Sequence, residues 1–425
     1  MSIEKKLGGI ENPVESEKDE RIKFSKPPTK SEWWIYLTSH LLVVAFGVTL
    51  YLSNKDYSNL PSNNEITITD TVNSESLNNT KAVFDSNDAE EWYKKGDSVF
   101  DLKSFEKAIY FYNKAIEINP NYAIAWNNKG TALHNLGRLE EAIKFYDKAI
   151  EINPNYSDAW INKGIVLRKL GTLEEAIDCS DNAIEINPND ARAWNNKGVA
   201  LGDLGNLEDA IKSYDKSIEI NPNEASAWYN RGNALDDLGN LEDAIKSYDE
   251  AIEINPNHAS AWHNRGIALG DLGNFEDAIK SYDKSIEINP NDASAWHNRG
   301  IALYNIGKFE DAIKSYDNAI EVDLNYASAW NNKGVALRKL GRNQEANECY
   351  DKALEIDPNK ANTWSNKGYI LAELGKFGEA LKAYDKSIEI NPNDASVWIG
   401  KATVFSRLNK PEKVNECYEM WEKLK

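Results

Sequence analysis

Ten tryptophans, Trp92, Trp126, Trp160, Trp194, Trp228, Trp262, Trp296, Trp330, Trp364 and Trp398, each follow the last by 34 residues. A period this regular means that one supersecondary unit has been stacked many times, and that function has to be sought on the surface the stack creates. In the copy from Ala225 to His258, Trp228, Gly232, Leu235 and Leu238 trace one face of a helix. Leu241, Ala244, Ile245, Tyr248, Ala251, Ile252 and Ile254 trace a second. Gly239-Asn240 between them is a helix stop followed by a residue able to cap, and Asn255-Pro256-Asn257 closes the unit.

Each repeat is therefore expected to be a helix, a turn and a helix. Small residues at Gly232, Ala244 and Ala251 allow close approach of two helices, with Trp and Tyr rings filling the space beside them. A lone pair of this size buries too little apolar surface to fold, so neighbouring repeats share the stability.

Trp228, Gly232, Leu235, Ala244, Tyr248, Ala251 and Pro256 resemble the signature positions of the tetratricopeptide repeat. The resemblance covers residues 89–425 and implies an all-α fold, a right-handed superhelical solenoid of ten repeats. The glycine position is kept from Gly96 to Gly368 and becomes Ala402; the alanine position is kept from Ala108 to Ala380 and becomes Val414. With Trp421 where a small residue belongs and no proline, the tenth copy reads as a cap. Where the family often has Leu before the glycine, this chain has Lys or Arg in all ten copies, from Lys95 through Arg231, Arg265 and Arg299 to Lys401. Their stems would cover the Trp and their heads reach water or a carboxylate such as Asp249; the alternative is a basic stripe for an acidic ligand.

Forty-nine basic and 68 acidic residues give a net charge of −19. Such a surface repels phosphate backbones, and the helical repeats that read RNA depend on a positive groove, so no nucleic-acid partner is expected. Cys179, Cys349 and Cys417 fall in repeats separated by at least one other, too far apart for an intrachain disulfide or metal framework.

Residues 33–52 contain no Asp, Glu, Lys or Arg, and as a helix would span roughly 30 Å, a hydrocarbon core, with aromatic residues at both ends. They are read as a single transmembrane helix after a polar tail (1–32) and before a flexible Ser/Asn/Thr-rich linker (53–88). The charged preface and the lack of a small-x-small site argue against a cleaved signal. Lys18, Arg21, Lys23, Lys26 and Lys30 precede the span and Lys55 alone follows within a comparable distance, which places the tail in the cytoplasm and the repeats outside. The opposite orientation, a cytosol-facing docking receptor, remains an alternative.

No P-loop, dinucleotide turn, Gly-x-Ser-x-Gly elbow or His-Glu-x-x-His helix occurs, so neither a catalytic step nor a cofactor is expected. His263 and His297 recur one residue after the Trp of consecutive repeats, about one helix contact or more apart, too far to share a metal, and read as a polar groove lining.

The resemblance also implies a concave face lined by the first helix of each repeat, with an asparagine ladder two residues after the Trp. Here the ladder is Asn128, Asn162, Asn196, Asn230, Asn264, Asn298, Asn332 and Asn366, broken at its ends by Lys94 and Gly400. Its amides could hold the main chain of an extended peptide, or bond across to the neighbouring repeat. The Lys and Arg of the family's carboxylate clamp are absent from the matching positions. Tyr229, His263, Ile267, His297, Ile301 and Tyr304 instead make an amphipathic wall suited to a polypeptide. Repeats four to seven are near-identical, as in Gly205–Asp215 and Gly239–Asp249, which fits a repetitive or extended partner. The reading is a membrane-anchored scaffold for protein or peptide ligands; a structural envelope component self-associating through its end repeats is the alternative, and the oligomeric state stays open.

Overall fold

The computed structural model describes residues 88–424. The expected tail (1–32), transmembrane helix (33–52) and all but the last residue of the expected linker (53–88) lie outside the described residues. Among the described residues no helix is long and apolar enough to cross a membrane.

The described chain is all α-helix, in two compact units of residues 88–152 and 153–424. The smaller holds two repeats, Ala89–Asp101 with Phe105–Ile118 and Ala123–Asn135 with Leu139–Ile152. The larger is a solenoid of eight, from Ser157–Leu170 to Pro411–Leu424, in which each helix packs on its partner and on the helices of the adjacent repeat.

The fifth repeat shows why these residues fold this way. Its first helix, Ala225–Asp237, stops at Gly239, whose φ of 79° a side chain would strain. There Gly239 N–H donates to Asp236 O (2.9 Å) and Asn240 N–H to Leu235 O (2.8 Å), satisfying carbonyls that the helix end leaves open. The same turn in the first and last repeats lacks glycine and puts Lys103 (φ 57°) and Asn409 (φ 55°) in the left-handed region. The second helix, Leu241–Ile254, ends at Asn255, whose Oδ1 accepts from Asn257 N–H (3.1 Å).

The periodic tryptophans close these junctions. Trp262 Nε1–H donates to Pro256 O (3.0 Å), and the bond recurs from Trp126 to Pro120 O and from Trp364 to Pro358 O. Apart from Trp92 the periodic indoles are half-buried, so the core proper consists of smaller groups: Ala227, Ala244, Ala251 and Tyr248 are sealed completely.

The two helices of a repeat meet where a ring replaces a side chain. A Cβ on Gly232 would lie 2.5 Å from Tyr248 Cε1, and one on Gly266 2.6 Å from Tyr282 Cε1. The third repeat has Ser180 in place of the Tyr, and a Cβ on Gly164 would meet Cys179 Cβ at a tolerable 3.2 Å. Gly232→Ala is therefore expected to cost about 1–3 kcal/mol by overpacking. Gly164→Ala should cost clearly less; urea melts that ranked the two the other way would contradict the ring-on-glycine contact.

Candidate polypeptide-binding face

The asparagine ladder lies on the first helices, but its amides are turned to the preceding repeat. In the smaller unit Asn128 Nδ2 donates to Tyr93 OH and Asp97 Oδ1, both at 3.0 Å. In the larger unit Asn230 donates to Asn195 Oδ1 (3.2 Å), Asn264 to Tyr229 OH (3.3 Å) and Asn233 Oδ1 (2.9 Å), and Asn366 to Asn331 Oδ1 (3.1 Å). Asn264, Asn332 and Asn366 are buried. Asn196 makes no such bond; the register places Ile161 and Ile165, without acceptors, where its neighbours have Asn or His. Asn162 is half-buried.

The two histidines belong to the same stitching, which corrects their reading as an exposed groove lining. His263 and His297 are 0 % and 1 % exposed, so neither ring can meet a ligand from outside. His263 Nε2 faces the Asn298 amide (3.1 Å) while Nδ1 faces Asp292 Oδ2 (3.0 Å). His297 Nε2 faces the Asn332 amide (3.0 Å) and Nδ1 the Tyr326 hydroxyl (3.2 Å). Asn298 and Asn332 donating to Nε2 keep the imidazole proton on Nδ1. Burial alone would raise the Asp292 carboxyl, but hydrogen bonds from His263 and from the Ala295 and Ser294 amides hold it below its ordinary range. Tyr229 is half-buried against His258 (ring centres 4.7 Å) and Tyr248, and burial raises its hydroxyl.

The Lys/Arg column is paired rather than open. Arg265 Nε lies 2.5 Å from Asp249 Oδ1 on the second helix of the preceding repeat, and Arg231, Arg299 and Lys401 repeat the contact with Asp215, Asp283 and Asp385. Arg265 Nη1 also donates to Ser281 Oγ (2.7 Å), and its guanidinium lies 5.9 Å from the centre of Trp262. Lys129 differs: Asn113 stands where the acid would be, the ammonium sits 3.8 Å from the Phe145 ring centre, and burial lowers its pKa. With heads committed in this way, the column does not form a basic stripe for an acidic ligand.

What the stitching leaves uncovered is a shorter set on the same first helices. Ile267, Ile301 and Tyr304 are half-buried, and Tyr369, in the register of Ile267 and Ile301, is 44 % exposed. Arg338, in the register of Tyr304 one repeat on, lies over the Tyr369 ring at 4.8 Å. Sequence periodicity did not single out Arg338 or Tyr369, because neither repeats from copy to copy; the only signal was that they break the pattern.

Three tetratricopeptide-repeat models match residues 123–156, 96–137 with 164–205, and 145–178. A model described as the C-terminal domain of cilia and flagella-associated protein 70 matches residues 190–397. Among solved structures the chain is similar to MamA (27 % identity over 39 % of this chain and 96 % of that one, TM-score 0.37). It is also similar to YrrB, described as a TPR protein with an unusual peptide-binding site (28 %, 46 % and 97 %, TM-score 0.37), and to yeast Tom70 (16 %, 79 % and 92 %, TM-score 0.39). No curated protein matches.

The ladder now generates a stability prediction. Changing Asn230, Asn264 and Asn298 together to Ala removes one inter-repeat bond at Asn230 and at Asn298 and two at Asn264, and leaves the buried His263 without its amide donor, at about 1 kcal/mol per bond. The triple variant should unfold at clearly lower urea; an unshifted midpoint would return these amides to ligand binding.

Proposed function

Because the chain is a tetratricopeptide-repeat protein, we propose that it is a scaffold holding polypeptide partners on the first-helix face of its larger unit, tethered to a membrane by residues 33–52. The observation that carries this reading is the uncovered row Ile267, Ile301, Tyr304 and Tyr369. Three of these are half-buried and one exposed, on first helices whose Asn264, Asn298, His263 and His297 side chains are taken up by contacts between repeats. Side chains spaced by one repeat suit an extended chain, with apolar contacts giving affinity and polar ones register. The net charge of −19 supports a protein partner over a nucleic acid. No catalytic step belongs to this reading.

The tether is supported by the uncharged stretch at 33–52, and the basic residues before it favour repeats on the outer side of that membrane. Protease added to intact cells should then remove a carboxyl-terminal tag. A tag protected until detergent lysis would place the repeats in the cytosol and change which partners are reachable.

Photo-crosslinking tests the face itself. Benzoylphenylalanine in place of Tyr304 is expected to yield adducts with bound polypeptides, whereas the same group in place of the exposed second-helix Lys314 should not. Equal adducts at both positions, or adducts at Lys314 alone, would move the binding surface elsewhere.

A further inference from the structure

Arg338 lacks the ion pair that its counterpart in the third repeat makes. Arg168 occupies the same register in the third repeat, and its Nη1 is neutralised by Asp203 Oδ2 at 2.9 Å, 35 residues on. The equivalent acid for Arg338 is Glu373, but Glu373 is taken by Arg407, whose Nη2 lies 2.7 Å from Oε1. Arg338 is left stacked on Tyr369, with Nε sealed from water and lacking an acceptor.

Two further unsatisfied polar atoms lie in the core cluster against which Tyr304 packs. The Tyr316 and Tyr350 hydroxyls are buried without a hydrogen-bond partner. The equivalent Tyr112 and Tyr248 donate to Asp97 (2.8 Å) and Asn233 (2.9 Å), but the seventh and eighth repeats have Ile301 and Val335 at those partner positions. Burial raises the Tyr350 hydroxyl far above its ordinary value, and the nearby Arg338 charge pulls against that shift. Orphaned buried polar groups are uncommon in native proteins, and here Arg338 and Tyr350, close enough for the charge of one to act on the other, each carry one.

We propose that Arg338, platformed on Tyr369 and flanked by Tyr304, is an acid-binding subsite that takes a carboxylate of an extended polypeptide through the free edge of its guanidinium. This rests on the reading of the first-helix face as the binding face and adds the chemistry it selects. A planar guanidinium held on a ring offers two parallel N–H donors to a carboxylate, with little entropy left to lose. One cation beside the occupied Glu373–Arg407 pair suits a singly charged carboxylate better than a dianion. The carboxylate could belong to a Glu or Asp side chain or to a chain end.

Fluorescence anisotropy with the full chain distinguishes these. The probes are three labelled Ala/Ser peptides: one with a central Glu and an amidated end, its Gln twin with an amidated end, and the Gln twin with a free carboxylate. The Glu peptide is expected to bind about tenfold more tightly than its amidated Gln twin. Arg338→Gln should abolish that preference and Arg338→Lys retain part of it, with melts of both variants close to that of the parent. Preference for the free-ended Gln peptide alone keeps the subsite and assigns it to a chain end. Equal binding of all three peptides, no binding of any, or an unchanged preference in Arg338→Gln overturns the subsite. Crosslinking at Tyr304 that persists in that case leaves the binding face standing without it.

Discussion

The face of the Tyr248 ring occupies the volume that a side chain on Gly232 would fill, and the geometry of the array follows from that substitution of a ring for a methyl group. It sets how closely the two helices of a repeat approach, and close approach buries Ala227, Ala244 and Ala251 completely. The contact recurs at Gly96 and Gly130 in the smaller unit and at Gly198, Gly266, Gly300, Gly334 and Gly368 in the larger, so within each unit the repeats are built alike. A repeated register turns single residues into ladders, and the array spends its ladders on two different tasks.

One task is cohesion. In most repeats the Trp indole ties the junction, the Asn amide reaches back one repeat, and the Lys/Arg head reaches the preceding second helix. Surface ion pairs like Arg265–Asp249, with half-exposed acids, are individually worth little, about 0–1 kcal/mol. Their contribution comes from repetition and from the arginine stems that cover the indoles. The other task, in the proposed reading, is recognition by residues that break the repetition: Tyr304, Arg338 and Tyr369 have no counterparts of the same type at their positions in adjacent repeats.

That division explains what could be read from the sequence. Helix boundaries and the Gly239 turn follow from spacing and residue type alone, since the same local signals recur in copy after copy; the cap expected of Asn240 does not form, its side chain making no capping bond. The partner of an amide does not. Asn264 and Asn298 look alike in sequence, yet one meets a phenol and a carboxamide and the other an imidazole, because the acceptor lies 31 to 35 residues away on another helix. The spacing reads His263 and His297 as a polar groove lining, whereas the next repeat closes over them. Burial of this kind is a property of two repeats together, and no single copy of the motif encodes it.

The bonds that join Asn230 to Asn195, Asn298 to His263, Asn332 to His297 and Asn366 to Asn331 each span 35 residues, so each fastens a repeat to its neighbour. A pull applied between the ends of that unit would therefore find the fasteners in series, with none bridging distant repeats to share the load. Extension would be stepwise, with a terminal repeat detaching while the remainder keeps its register, and the released helices could dock again when tension falls. An array built this way can lengthen under strain without losing the surface that its intact repeats present.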